Sequence, residues 1–204
     1  MSISNSKPYP HGNVRGALIE AAVAALQVEG VQGLSLRKLA AQIGVSHNAP
    51  YMHFPDKEAL LAAVAEDGFT RLAENIQAAL DQSSSAWLAQ LEDGCIAYVR
   101  FMRDQAGYAQ VMFSDFDWQK YPTLPRAAGR ALGLLEALIQ SGQAAGLVAP
   151  GSPRQQATLI WSLLQGIATM TSVGSKPPPG VAERSADDLT RDYVRSLYAG
   201  LQPR

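Results

Sequence analysis

The sequence predicts an all-α protein of nine helices. Alanine- and leucine-rich stretches show apolar residues recurring at helical spacing, and the 12 prolines and 17 glycines fall mostly between those stretches. With 204 residues and 47% hydrophobic content, the chain can bury a sizeable core, as one domain or as a small domain joined to a larger one. No repeat of solenoid length stands out.

Residues 1 to 12, with Pro8, Pro10 and Gly12, read as a loose arm ahead of a first helix at about 13 to 29. In the second helix, 35 to 42, Leu36, Leu39, Ala40 and Ile43 recur at i, i+3, i+4 and i+7 and leave Arg37, Lys38 and Gln42 outside the stripe. Ser35 is placed to cap that helix, Gly44 to end it in the left-handed conformation, and Ser46 to cap the next. Two helices joined by about three residues cross steeply, as a helix-turn-helix requires.

The third helix, 47 to 53, is too short and polar to stand alone, so its purpose lies in what it presents. His47 and Asn48 occupy the first turn, the part a recognition helix pushes into the major groove, where Asn can pair with adenine. They read either as groove contacts or as solvated helix-start residues. Pro50 costs little there, because first-turn amides lack an intrahelical acceptor. Tyr51, His53 and Lys57 can each donate to phosphate oxygens, as can Arg37 and Lys38 on the preceding helix. Ser46 and Ala49 complete the expected DNA-contacting set.

The fourth helix, 56 to 81 behind an Asp56 cap, carries Leu61, Val64, Ala65, Phe69, Leu72, Ile76 and Leu80 on one side. At 1.5 Å per residue it spans roughly 40 Å, enough to connect a head to a distant body. The Ser83-Ser84-Ser85 loop then leads to helices at about 86 to 104, 107 to 113, 123 to 146, 153 to 174 and 185 to 201.

Aromatic and Met residues concentrate in that body. Phe69, Trp87, Tyr98, Phe101, Met102, Tyr108, Met112, Phe113, Trp118, Trp161 and Gln165 are the candidate lining of a ligand cavity, and no charged residue among them marks a ligand partner. Any single one of them is more readily read as core filling. The helix at 153 to 174 is apolar on two sides, so it must be sandwiched, with the last helix as its expected partner. Leu159, Leu163, Gly166, Met170, Tyr193, Leu197 and Leu201 form either ordinary core or a two-fold dimer interface.

The run Val45-Ser46-His47-Asn48-Ala49-Pro50-Tyr51-Met52-His53-Phe54-Pro55-Asp56-Lys57-Glu58-Ala59-Leu60-Leu61 resembles the TetR family of bacterial one-component repressors. That family follows Val-Ser with Tyr-x-x-Phe-x-x-Lys-x-x-Leu, matched here by Tyr51, Phe54, Lys57 and Leu60. The resemblance covers residues 13 to about 72. Gly107 to Phe113 and the Ala49-Pro50 pair look like a TetR subgroup whose regulatory domain carries a Trp, His and Gly motif. The resemblance implies a DNA-binding domain at 1–55 and a ligand-binding and dimerisation domain at 56–204, with helix 56–81 as connector. It also implies a homodimer on a double-stranded DNA operator, released by a small-molecule inducer that the apolar cluster makes mainly apolar or aromatic.

Net charge is −1, which neither favours nor excludes nucleic acid, since DNA binding needs only a local basic face. Residues 1 to 60 carry five Lys and Arg against four acids, plus all three histidines, a slight basic bias. His11, His47 and His53 lack metal-ligand spacing, so no metal or cofactor is expected. Cys95, the only cysteine, excludes an internal disulfide and sits on an apolar stripe as a structural thiol. No leader or membrane-length apolar run is seen, which points to the cytoplasm. Enzymatic signatures are missing: no Ser, His and acid set, no phosphate-cradling loop and no Glu-x-x-His pair. The alternative to a ligand-responsive repressor is a constitutive DNA-binding protein whose body only dimerises.

Overall fold

A computed structural model describes residues 13–172 and 174–202, and among these every regular element is helical. Eight α-helices replace the expected nine: α1 Val14–Gly33, α2 Leu36–Gln42, α3 Lys57–Gln82, α4 Trp87–Asp104, α5 Ala106–Met112, α6 Thr123–Ala144, α7 Pro153–Met170 and α8 Ala186–Leu201. Between α2 and α3 the expected helix at 47 to 53 is instead a short 3-10 turn, Ala49–Met52. Its backbone bonds run i to i+3, from the amides of Ala49, Tyr51 and His53 to the carbonyls of Ser46, Asn48 and Pro50. Pro50 has no N–H to give the Ser46 carbonyl, so the first bond of an α-helix is missing and the segment tightens.

Local chemistry sets the element ends. Asn13 caps α1 by accepting from the Gly16 amide at 2.9 Å, and the helix kinks at Gly30, which takes φ +66°. At the end of α2 the Val45 amide reaches the Ala40 carbonyl and the Gly44 amide that of Ala41, with Gly44 at φ +75°. This is the Schellman arrangement, and it explains the glycine. Asp56 caps α3 by accepting from the Ala59 amide at 2.7 Å, while Ser152 and Ser185 cap α7 and α8. The expected side-chain caps at Ser35 and Ser46 do not form; Ser46 offers only its backbone carbonyl.

The long α3 is the spine, packing against α6, α4 and α5. Leu60, Val64 and Leu72 on it are fully enclosed. Short α5 lies between α3 and α1 and packs closely on both. Gly107 lets its backbone meet the Val23 carbonyl, and Gln110 donates to the Leu26 carbonyl at 2.9 Å. The last helix departs from expectation: α8 packs more extensively on α4 than on α7. Buried Glu92 on α4 accepts from Arg195 at 2.6 and 3.2 Å, and Arg100 pairs with Asp187, so charge pairing steers α8 there. Cys95 is enclosed on α4, and burial pushes its thiol far above the ordinary range. No described helix is long and apolar enough to cross a membrane.

Candidate functional site

The N-terminal surface is built around two buried anchors. Pro50 and Phe54 turn inward from the segment after α2, Pro50 in a turn packed on α1 and α2 and Phe54 beneath Arg15 of α1. With those two held inward, Tyr51, Met52 and His53 between them are exposed, as are Ser46, His47 and Asn48 just before Pro50, while Ala49 is half-buried. The 3-10 turn therefore presents the same side chains the expected helix would have presented, from a shorter and tighter scaffold. Lys57 stands half-buried in the first turn of α3, just beyond them.

Among the flanking cations, Lys38 is tied to Glu29 at 3.1 Å, whereas Arg37 is exposed with no ion-pair partner among the described residues. Sequence reasoning passed over two neighbours. Arg15 on α1 lies over the Phe54 ring, 5.5 Å from its centroid, which fixes a cation at the edge of this surface. Met52 stands 84% exposed, an apolar side chain in water amid polar ones. Neither position has a local signal; each becomes conspicuous only once Phe54 and Pro50 are seen to face inward.

A cavity of about 540 Å³ opens in the body, within the size range of small-molecule sites. Of the residues expected to line it, Phe69, Met112, Phe113, Trp118 and Trp161 do so. Phe113 meets Phe69 edge-on at 5.6 Å and Trp161 at 6.5 Å, so the rings form one connected wall. Trp118, 64% exposed, forms rim. The rest of the lining, including Phe116, Leu124, Leu132, Arg154 and Thr158, comes from the α5–α6 connection, α6 and α7.

The other expected lining residues lie elsewhere, each for a packing reason. The Trp87 indole donates to the Leu138 carbonyl at 2.7 Å and its ring packs on Tyr198. Tyr98 is buried, donates to the Gln165 amide oxygen at 2.7 Å, and has its phenol held above the ordinary range by burial. Phe101 and Tyr108 stack on each other at 6.1 Å, while the Tyr108 hydroxyl donates to Asp67 on α3. Met102 and Gln165 border a separate recess of about 280 Å³.

The expected dimer residues divide likewise. Leu159 is half exposed and a side chain at Gly166 would meet nothing within 4 Å, so α7 offers an open stripe. Leu163, Met170, Tyr193, Leu197 and Leu201 are partly buried against the chain's own core.

Residues 18–64 match the profile of bacterial regulatory proteins of the tetR family, and residues 91–193 match the profile of the tetracyclin repressor-like C-terminal domain. The chain belongs to the TetR family. It is similar to the tetracycline repressor protein class A from transposon 1721 of Escherichia coli, at 43% identity over 70 residues, 34% of this chain and 31% of that protein. The class D repressor of Escherichia coli is 31% identical over 86 residues, 42% of this chain and 38% of that protein. The chain thus spans about a third of the length of these curated relatives. A protein of unknown function from Rhodococcus sp. RHA1 superposes with a TM-score of 0.82 at 30% identity, covering 97% of this chain and all of that one (100%). The fatty acid degradation regulator FadR from Bacillus halodurans superposes with a TM-score of 0.74 at 18% identity, covering 96% and 100%, a likeness of fold alone.

Proposed function

We propose that this TetR protein is a one-component transcriptional repressor that binds a palindromic operator as a homodimer and is released by a small, mainly apolar or aromatic inducer. The observation that carries the reading is the exposed polar run around the 3-10 turn, held outward by buried Pro50 and Phe54. Asn48 and His47 read base edges, while Tyr51, His53, Lys57 and Arg37 hold phosphates. Ser46, Ala49 and Lys38 stay in the contact set, Lys38 after release from Glu29. Arg15 and Met52 join it, Met52 as a partner for a thymine methyl. Residues 1–55 serve as the DNA-binding domain and 56–204 as the ligand-binding and dimerisation domain.

A helix-turn-helix monomer offers limited contact, which favours a dimer with half-sites one helical turn apart, about 34–36 Å. The open α7 stripe at Leu159 and Gly166 is the proposed meeting face. The competing reading, a constitutive DNA-binding protein with no effector, is less favoured because the body carries an aromatic-lined recess of about 540 Å³ that dimerisation by itself does not use.

Selection of bound duplexes from a random DNA pool, with footprint and stoichiometry of the winners, tests this. A palindrome covered by one or two dimers is the expected outcome. No enriched sequence, with binding lost at moderate salt, would leave a nonspecific binder.

A further inference from the structure

We propose that the effector of the 540 Å³ cavity is an amphipathic monoanion, an apolar or aromatic body with a single carboxylate that pairs with Arg154 at the mouth. The inference rests on the effector-site reading above and gives it a ligand class. Phe69, Met112, Phe113, Phe116 and Trp161 supply an apolar wall for the body of such a molecule. Among the described lining residues Arg154 alone carries a charge.

Arg154 is underused by the protein. It makes one hydrogen bond, through Nη1 to Glu136 at 3.3 Å, and no other partner holds it among the described residues. A guanidinium has five N–H donors arranged for bidentate carboxylate binding, so most of its capacity is open. Its side chain is 60% exposed, so an arriving anion does not face the full desolvation cost of a buried ion pair. Glu136 does not line the cavity, so a cationic ligand finds no counter-charge there. Thr158, one turn along α7, and Ser114 on the opposite connection add hydroxyls to the lining. A neutral apolar molecule fills the wall and leaves this polar end unused.

Trp118 and Trp161 report on the cavity, since both line it and Trp87 lies apart. Their fluorescence in the full chain is titrated with two matched pairs, 4-phenylbutyrate against 4-phenylbutan-1-ol and octanoate against octan-1-ol. Each carboxylate should bind about five- to tenfold more tightly than its alcohol, the range for a half-exposed charged hydrogen bond. The preference should shrink with added salt, vanish in Arg154→Gln and survive in part in Arg154→Lys. Glu136→Gln, which frees the guanidinium, should enlarge it, and near-ultraviolet dichroism of each variant reports whether it folds. Equal affinity within each pair, or a preference that persists in a folded Arg154→Gln, overturns the carboxylate assignment and leaves the effector site standing. No saturable change with any of the four probes overturns the effector site itself.

Discussion

Lys120 Nζ donates to Glu58 Oε2 at 2.7 Å, joining two residues 62 apart in the chain. Lys120 lies two residues beyond Trp118 on the rim of the cavity, and Glu58 lies in the first turn of α3, beside Lys57. The same ammonium is 3.8 Å from Asp56, the α3 cap, and the Glu58 hydrogen bond holds its pKa above the ordinary lysine range. Thr123, at the start of α6, adds a second tie by donating to Glu66 at 2.8 Å. The connection that borders the cavity is thus fastened to the N-terminal part of α3, which follows directly on the 3-10 turn.

Lys120→Gln should therefore loosen the start of α3 without unfolding the body. Hydrogen exchange at the amides of Ala59 to Val64 should quicken severalfold, with little change in melting temperature because both partners are solvent-exposed. Unchanged exchange there would make the pair a surface ornament.

The proposed DNA-binding role of the surface around the 3-10 turn predicts two kinds of loss. Lys57→Gln and Tyr51→Phe should weaken binding to all duplexes alike, and Lys57→Gln should reduce the salt slope by about one. Asn48→Ala should cost roughly 1–3 kcal/mol on the preferred duplex and much less on others. Anisotropy titrations on matched and scrambled duplexes separate these, and equal losses on every duplex for Asn48→Ala would remove its base-reading role.

Two glycines in the body predict opposite results. A Cβ at Gly107 would lie 2.4 Å from the Val23 carbonyl oxygen, which is backbone and cannot rotate aside. Gly107→Ala should push α5 away from α1 and cost about 1–3 kcal/mol. At Gly94 the nearest atom is Leu80 Cδ2 at 3.2 Å, a methyl that can shift, and alanine is the better helix former, so Gly94→Ala should be near neutral. Paired thermal melts decide, and equal destabilisation would refute the backbone-contact argument.

Acid should weaken the tie between the start of α8 and α4. The Arg100 hydrogen bond lowers the Asp187 pKa from 3.8, so the folded state holds the carboxylate ionised to lower pH than the unfolded chain does. Its contribution is complete above about pH 4 and is lost as pH falls through the depressed value. Asp187→Asn should lower the melting temperature at pH 7, and the difference from the parent should narrow as pH falls through the depressed Asp187 value. A difference that stays constant as the solution is acidified would exclude the ion pair as its source.

What the sequence determined by itself is local. The spacing of Leu36, Leu39, Ala40 and Ile43, the glycine at 44 and the aspartate at 56 specify where helices run, stop and start, because those effects act within one or two turns. Family membership was legible for the same reason, since Tyr51, Phe54, Lys57 and Leu60 lie in one short run. The 3-10 turn was half legible: Pro50 announces a missing donor, but its burial against α1 and α2 makes the tight turn the form adopted. Tertiary structure alone decided which aromatics face a cavity and which fill the core. Trp87 and Trp161 both sit on amphipathic helices, yet one is closed in by Leu138 and Tyr198 while the other, packed on Tyr98 and Phe113, keeps part of its ring on the cavity. Periodicity gives a side chain its face, not what stands across from it. Lys120 with Glu58 and Glu92 with Arg195, partners 62 and 103 residues apart, exist only because packed helices bring distant side chains within hydrogen-bond reach.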